Sequence, residues 1–124
     1  AGNFPAAEAA YKKWLARKPG ENLAKLGLAQ TQLLMRTEGL DLNDVIAQSM
    51  ADPTSIDLQL KAADVEMVSG GVEAAYTRLL HAVKVTSGDD RTKVKNHLLD
   101  LFSLVDSSDP RLIAARKELA SALF

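Results

Sequence analysis

Two stretches of this chain carry the same phrase. Gly70-Gly71-Val72-Glu73-Ala74-Ala75 leads on to Tyr76, Leu79 and Ala82, and Gly2-Asn3-Phe4-Pro5-Ala6-Ala7 leads on to Tyr11 and Trp14. The matching positions all differ by 68 (70 − 2, 75 − 7, 79 − 11, 82 − 14), which is twice 34. Pro19 and Pro53 differ by 34 (53 − 19), as do Ala29 and Ala63 (63 − 29). In each copy a glycine marks a tight turn, and apolar residues at i, i+4 and i+7 then fall on one helix face. A unit of this length is a pair of helices that cannot bury its apolar faces alone, so each pair must stack on the next. That restricts residues 1–124 to a single all-α repeat domain.

The punctuation predicts seven helices and no strand. The first runs over Phe4–Arg17, with Asn3 as N-cap and Pro5 in the first turn, where a missing N–H costs nothing. Lys18-Pro19-Gly20 ends it. The second covers about Asn22–Arg36 and is apolar on more than one side, with Ala29 expected at a close helix crossing. A short third helix, Asn43–Ala51, lacks the small-residue signature. The fourth, about Ser55–Ser69, follows Thr54-Ser55-Ile56-Asp57, which resembles a capping box with Asp in place of Glu. The fifth spans Val72–Thr86, and Ser87-Gly88 then stands where proline stood before. The sixth runs from about Asp90 to Val105, its first acids favouring the helix dipole. The last starts at Asp109-Pro110. This gives three hairpins preceded by one unpaired helix.

The composition narrows the function. A formal net charge of −1, with acids and bases interspersed, gives no reason to expect nucleic acid or an anionic membrane as partner. The absence of cysteine excludes disulfides, thiolate metal ligation and dithiol chemistry by this chain itself. No run is long enough to cross a membrane and no signal peptide is visible, so a cytoplasmic location is expected. The chain opens on Ala1-Gly2 at the turn of a repeat, which suggests the C-terminal part of a longer protein. The face of Tyr11 and Trp14 on the unpaired first helix is then a candidate association surface, toward a missing segment or a second copy.

The 34-residue period, glycine at the hairpin turn, alanine at the crossings and proline after the second helix match the tetratricopeptide repeat. The expected architecture is its right-handed superhelix of about seven antiparallel helices. A narrower resemblance rests on Gly2–Tyr11, on Leu26-Gly27-Leu28-Ala29-Gln30 and on the ending Ser108-Asp109-Pro110-Arg111-Leu112-Ile113 through Phe124. Together these resemble the C-terminal repeat domain of bacterial thioredoxin-like co-chaperones, the chaperedoxins. The resemblance implies a covalently linked thioredoxin-like domain ahead of this one. It also implies a holdase role: binding unfolded clients and passing them to the chaperonin or the Hsp70 system. The redox motif of that family lies outside this segment, so no catalytic residue carries over.

In the repeat register, Leu23, Leu26, Gln30 and Leu33, then Asp57, Leu60, Asp64 and Met67, line the groove where such arrays bind peptides. Clamping a terminal carboxylate needs Lys, Arg and Asn at these positions. Leu, Gln, Asp and Met suit loosely specific capture of apolar segments instead. The competing reading is that the last helix covers these positions as ordinary core. His81 and His97 look isolated, and Asp64 is one acid among apolar neighbours. No metal, cofactor or catalytic group is expected. Lys12, Lys13, Arg17 and Lys18 read as a solvated face. A scaffold that binds one folded partner, or drives self-association, is the alternative function.

Overall fold

A computed structural model of the chain describes residues 3–124, so the turn glycine Gly2 lies outside the described residues. Seven helices follow one another: α1 (Phe4–Arg17), α2 (Asn22–Thr37), α3 (Leu42–Ala51), α4 (Ile56–Val68), α5 (Val72–Val85), α6 (Gly88–Phe102) and α7 (Pro110–Leu123).

The repeat is visible bond by bond in its turns. Lys18, ahead of Pro19, has φ −134° and ψ 78°; Asp52, ahead of Pro53, has φ −136° and ψ 72°. The proline ring drives the residue before it out of the helical region, which stops both helices at the same place. Lys18 N–H donates to the Trp14 carbonyl and Asp52 N–H to that of Gln48, while Glu21 and Ser55 N–H close the turns back onto Lys18 and Asp52. The third turn has no proline. Thr86 is extended there and Gly88 takes φ 60°, so α6 begins at residue 88, two short of the 90 that a spacing of 34 from Ile56 would give.

Between α4 and α5 the chain reverses tightly. Gly70 has φ 89°, its N–H donates to Met67 O, and Gly71 N–H donates to Glu66 O at 2.7 Å. This pair of bonds is a Schellman closure, which needs a left-handed residue that glycine adopts without a Cβ penalty. Capping elsewhere follows the same logic. Asn3, Asp41, Ser55 and Asp109 each accept a backbone N–H of the turn they open. The cap of α4 is Ser55, not Thr54, because Leu58 N–H reaches the Ser55 hydroxyl.

Neighbours in sequence are not always neighbours in space. α3 begins at residue 42 and α7 at 110, each four residues after the start that α1 and α5 would predict (38 and 106). That is about one helical turn. With these longer connections, α3 packs on α4 and α7 on α5, while α4–α5 forms the close hairpin. The first helix is not unpaired: α1 lies along α2. The Tyr11 ring sits over Gly27 so closely that a Cβ there would fall 2.4 Å from it.

α4 is the centre of the stack. Leu60 and Ala63 join the main core with α5, α6 and α7, whereas Ala62 and Val65 face Val45 of α3. Ala75, Leu79 and Ala82, the apolar triplet of the repeated phrase, are all buried. Ala63 is fully enclosed, but its counterpart Ala29 is only half-buried. In α2 the close approach is made by Ala24 and Gly27 instead.

Candidate functional site

Asp64 is the point where the groove-side helices α2, α4 and α6 are tied together. Arg36 of α2 donates from Nε and Nη2 to the two Asp64 carboxylate oxygens at 2.9 and 3.1 Å. His97 Nε2 of α6 lies 2.8 Å from Asp64 Oδ1. Burial pushes the Asp64 carboxyl up, but the hydrogen bonds and charge of His97 and Arg36 outweigh it and hold the group below the usual carboxylate range. The acid that looked partnerless in sequence, and the histidine that looked isolated, are therefore each other's partners.

This cluster decides how much groove remains open. Leu33 and Leu60 belong to the main core, Asp64 is buried, and Met67 is half-buried against the same core. These four positions are interior or nearly so, because α6 lies against α4. The last helix does not cover them; it packs on α5. On α2, Leu23 is 68% exposed, Leu26 is half-buried and Gln30 is exposed. Asp57 is at the surface, joined to Lys93 at 2.6 Å. A recess of about 200 Å³ follows, bounded by Leu15, Leu28, Gln32, Arg36, Asp100 and Leu104.

Larger apolar recesses lie between α3 and α5, where the sequence showed no site. One of about 460 Å³ is lined by Leu42, Ile46, Ala47, Met50, Glu66 and Ala74. A second, about 500 Å³, is bounded by Met50, Pro53, Ile56, Arg78, His81 and Val85. Met50 borders both and is 74% exposed. The gap exists because α3 is short and packs on α4 without closing against α5. Its floor is polar and satisfied. Arg78 donates to Glu66 Oε1 at 2.7 Å, to Gln59 Oε1 at 2.8 Å and to Ser49 Oγ at 3.2 Å. Gln59 in turn donates to the Ser49 and Pro53 carbonyls. Helical periodicity could flag Ile46 and Met50, but not that α5 would leave them uncovered.

Trp14 is 39% exposed and stacks on Tyr11 with ring centroids 6.4 Å apart. Tyr11 itself is half-buried against α2. His81 is exposed at the rim of the second recess. Among the described residues no group of three or more His, Cys, Asp or Glu could hold a metal, and no helix is long and apolar enough to cross a membrane.

The tetratricopeptide-repeat family model matches residues 35–124, most of the chain and five of its turns. The chain belongs to the tetratricopeptide repeat family. Tetratricopeptide repeats are scaffolds for protein–protein interaction, without catalytic machinery of their own. Among curated proteins the chain is similar to two uncharacterized mycobacterial proteins, Rv1324 of Mycobacterium tuberculosis and Mb1359 of Mycobacterium bovis. It is 39% identical to each over 124 residues, which is 99% of this chain and 40% of the relative. No solved structure matches the chain.

Proposed function

We propose that this tetratricopeptide domain is the protein-binding arm of a thioredoxin-like co-chaperone, holding unfolded clients in the cytoplasm for transfer to a chaperonin or Hsp70 chaperone. The supporting observation is the apolar recess between α3 and α5, with Met50 standing 74% exposed at its edge. Methionine and leucine adapt to many apolar shapes, as loosely specific capture requires. Leu23 and Leu26 on α2 offer a second apolar contact. The Arg36–Asp64–His97 cluster disfavours a carboxylate clamp, because the groove-side guanidinium is already held by Asp64. The match covers 40% of the relatives, so they have room for a further domain, consistent with the resemblance to the chaperedoxins.

The decisive assay is light scattering of a chemically denatured client diluted into buffer. Wild-type domain suppresses aggregation at near-stoichiometric ratio, and Met50→Asp weakens it severalfold at unchanged helicity. Unchanged client aggregation with both the domain and the complete parent protein overturns the reading. Self-association through Trp14 and Tyr11 is a separate proposal. Sedimentation at high concentration should show a dimer that Trp14→Ala abolishes; a strict monomer sinks it.

A further inference from the structure

Two of the helices that lie outside the groove-side row, α1 and α3, carry opposite charge. On α1 and at its end, Lys12, Lys13, Arg17 and Lys18 follow one another with no acid in residues 9–20. Around α3 stand Glu38, Asp41, Asp44 and Asp52, and residues 37–60 contain no lysine or arginine. Lys12 lies 3.8 Å from Glu8, whereas the other three bases and all four acids have no ion-pair partner among the described residues. A chain with a formal net charge of only −1 therefore holds a block of four bases and a block of four acids apart on two helices.

Helical geometry puts both blocks on outward faces. In α1 the Tyr11 ring meets Gly27 of α2, and at about 100° per residue Lys13 and Arg17 project from the opposite side. Ala6, Ala9 and Ala10 share that exposed side, and Trp14 stands at its edge, 39% exposed. In α3, Val45 is buried against Ala62 and Val65 of α4, and Ile46 and Met50 border the recess toward α5. Asp44, Ala47 and Ala51, at i, i+3 and i+7, form the exposed face that remains. Each face is thus a stripe of alanine flanked by charge of one sign, and small side chains let two helices approach closely. Among the described residues no side-chain hydrogen bond or ion pair joins α1 to α3, so the two faces stay free of each other within one chain.

A basic face and an acidic face on the same molecule select the partner. A two-fold rotation about an axis between them lays the α1 of each copy on the α3 of the other, and both unlike pairings form at once. A second copy of this chain therefore meets each block with its opposite. A partner carrying one sign of charge is attracted by one block and repelled by the other. Exposed ion pairs contribute little affinity each, so the charges set register and salt sensitivity. The apolar contact comes from Trp14 and the two alanine stripes.

We propose that the acidic outer face of α3 is the docking surface for α1 of a second copy, in a two-fold dimer whose register is set by Lys13 and Arg17 against Glu38 and Asp44. This rests on the reading that the Trp14 face self-associates, and it names the surface which that face meets. The basic run that reads as a solvated face in the sequence becomes one half of a self-complementary pair.

The test is sedimentation equilibrium of the 124-residue chain up to about 1 mM, where even a weak dimer is visible. Wild type should form a dimer at about 50 mM salt that weakens at least severalfold at about 500 mM. Two double variants reverse one face each: Lys13→Glu/Arg17→Glu and Glu38→Lys/Asp44→Lys. All four residues are exposed, so circular dichroism should show unchanged helicity. Each variant alone should dimerise at least about tenfold more weakly than wild type, because both of its pairings then oppose like charges. An equimolar mixture should recover dimers of about wild-type strength, since the reversed faces match each other and the unreversed faces still match. A strict monomer overturns this inference and the Trp14 reading together. A dimer that Trp14→Ala abolishes but neither charge reversal weakens overturns this inference and leaves that reading standing. Folded variants that stay monomeric when mixed, or an open-ended series of oligomers, also overturn it.

Discussion

Replacing Asp64 by asparagine removes one charge from the centre of the stack while keeping the side-chain shape. In the native protein Asp64 accepts two bonds from Arg36 and lies within bonding distance of His97. Each bond to a charged group contributes about 1.5–3 kcal/mol. The full sum overstates the loss, because the asparagine oxygen still accepts one bond. The Arg36 side chain is also 37% exposed and can rehydrate. We therefore expect Asp64→Asn to cost about 2–3 kcal/mol, below the 3–5 kcal/mol of a fully buried pair broken on one side. At this chain length that lowers Tm by roughly 8–12 °C, at about 4 °C per kcal/mol. Urea unfolding followed by circular dichroism measures it directly.

The pH dependence gives a sharper check. The Asp64 carboxyl titrates lower in the folded protein than in the unfolded chain, so its contribution is complete above the unfolded value of about 3.9 and disappears as pH falls through the folded one. The gap between wild type and Asp64→Asn should be wide at pH 5 and narrow below about pH 4, as the carboxyl takes up its proton. A variant within about 0.5 kcal/mol of wild type at neutral pH, the range of ordinary surface substitutions, refutes the idea that this cluster ties the three helices.

Three further outcomes follow from the packing. Ala63→Leu should cost about 1–3 kcal/mol by overpacking, while Ala29→Leu, at the half-buried counterpart, should be close to neutral in the same urea titration. Gly27→Ala should destabilise the native protein, where the Tyr11 ring occupies the Cβ position, yet gain up to about 1 kcal/mol of helix propensity in a Tyr11→Ala background. Equal effects in both backgrounds would show that the ring moves aside freely. Gly70→Ala places a side chain at φ 89° and should cost about 1–2 kcal/mol, read as a lower Tm with helix content retained.

Most of the secondary structure could be read directly from the residues, because its causes are local. Pro19 and Pro53 restrict the residue before them, Gly70 supplies a left-handed turn, and Asn3 and Asp109 satisfy the N–H groups of their own helices. Each effect acts within a few residues, so spacing alone reveals it. The cap of α4 was misplaced by one residue because Thr54 and Ser55 are chemically equivalent candidates, and geometry chose Ser55. The groove was harder to read. Register put Leu33, Leu60 and Asp64 on one surface, and it could not show that α6 would lie against that surface and enclose them.

The amino-acid sequence by itself determined that this chain is a stack of helices with a 34-residue repeat, because period, proline and glycine act on neighbouring backbone. Only the tertiary structure decided which surfaces remain for function. Arg36, Asp64 and His97 are separated by 28 and 33 residues and meet only once three helices stack. The recess beside Met50 exists because a helix one turn short leaves a space that its neighbour does not fill. Tyr76 of α5 meets the Phe102 ring of α6 edge-on, with centroids 5.1 Å apart. Pairings of this kind depend on the relative placement of whole helices, which no local preference encodes.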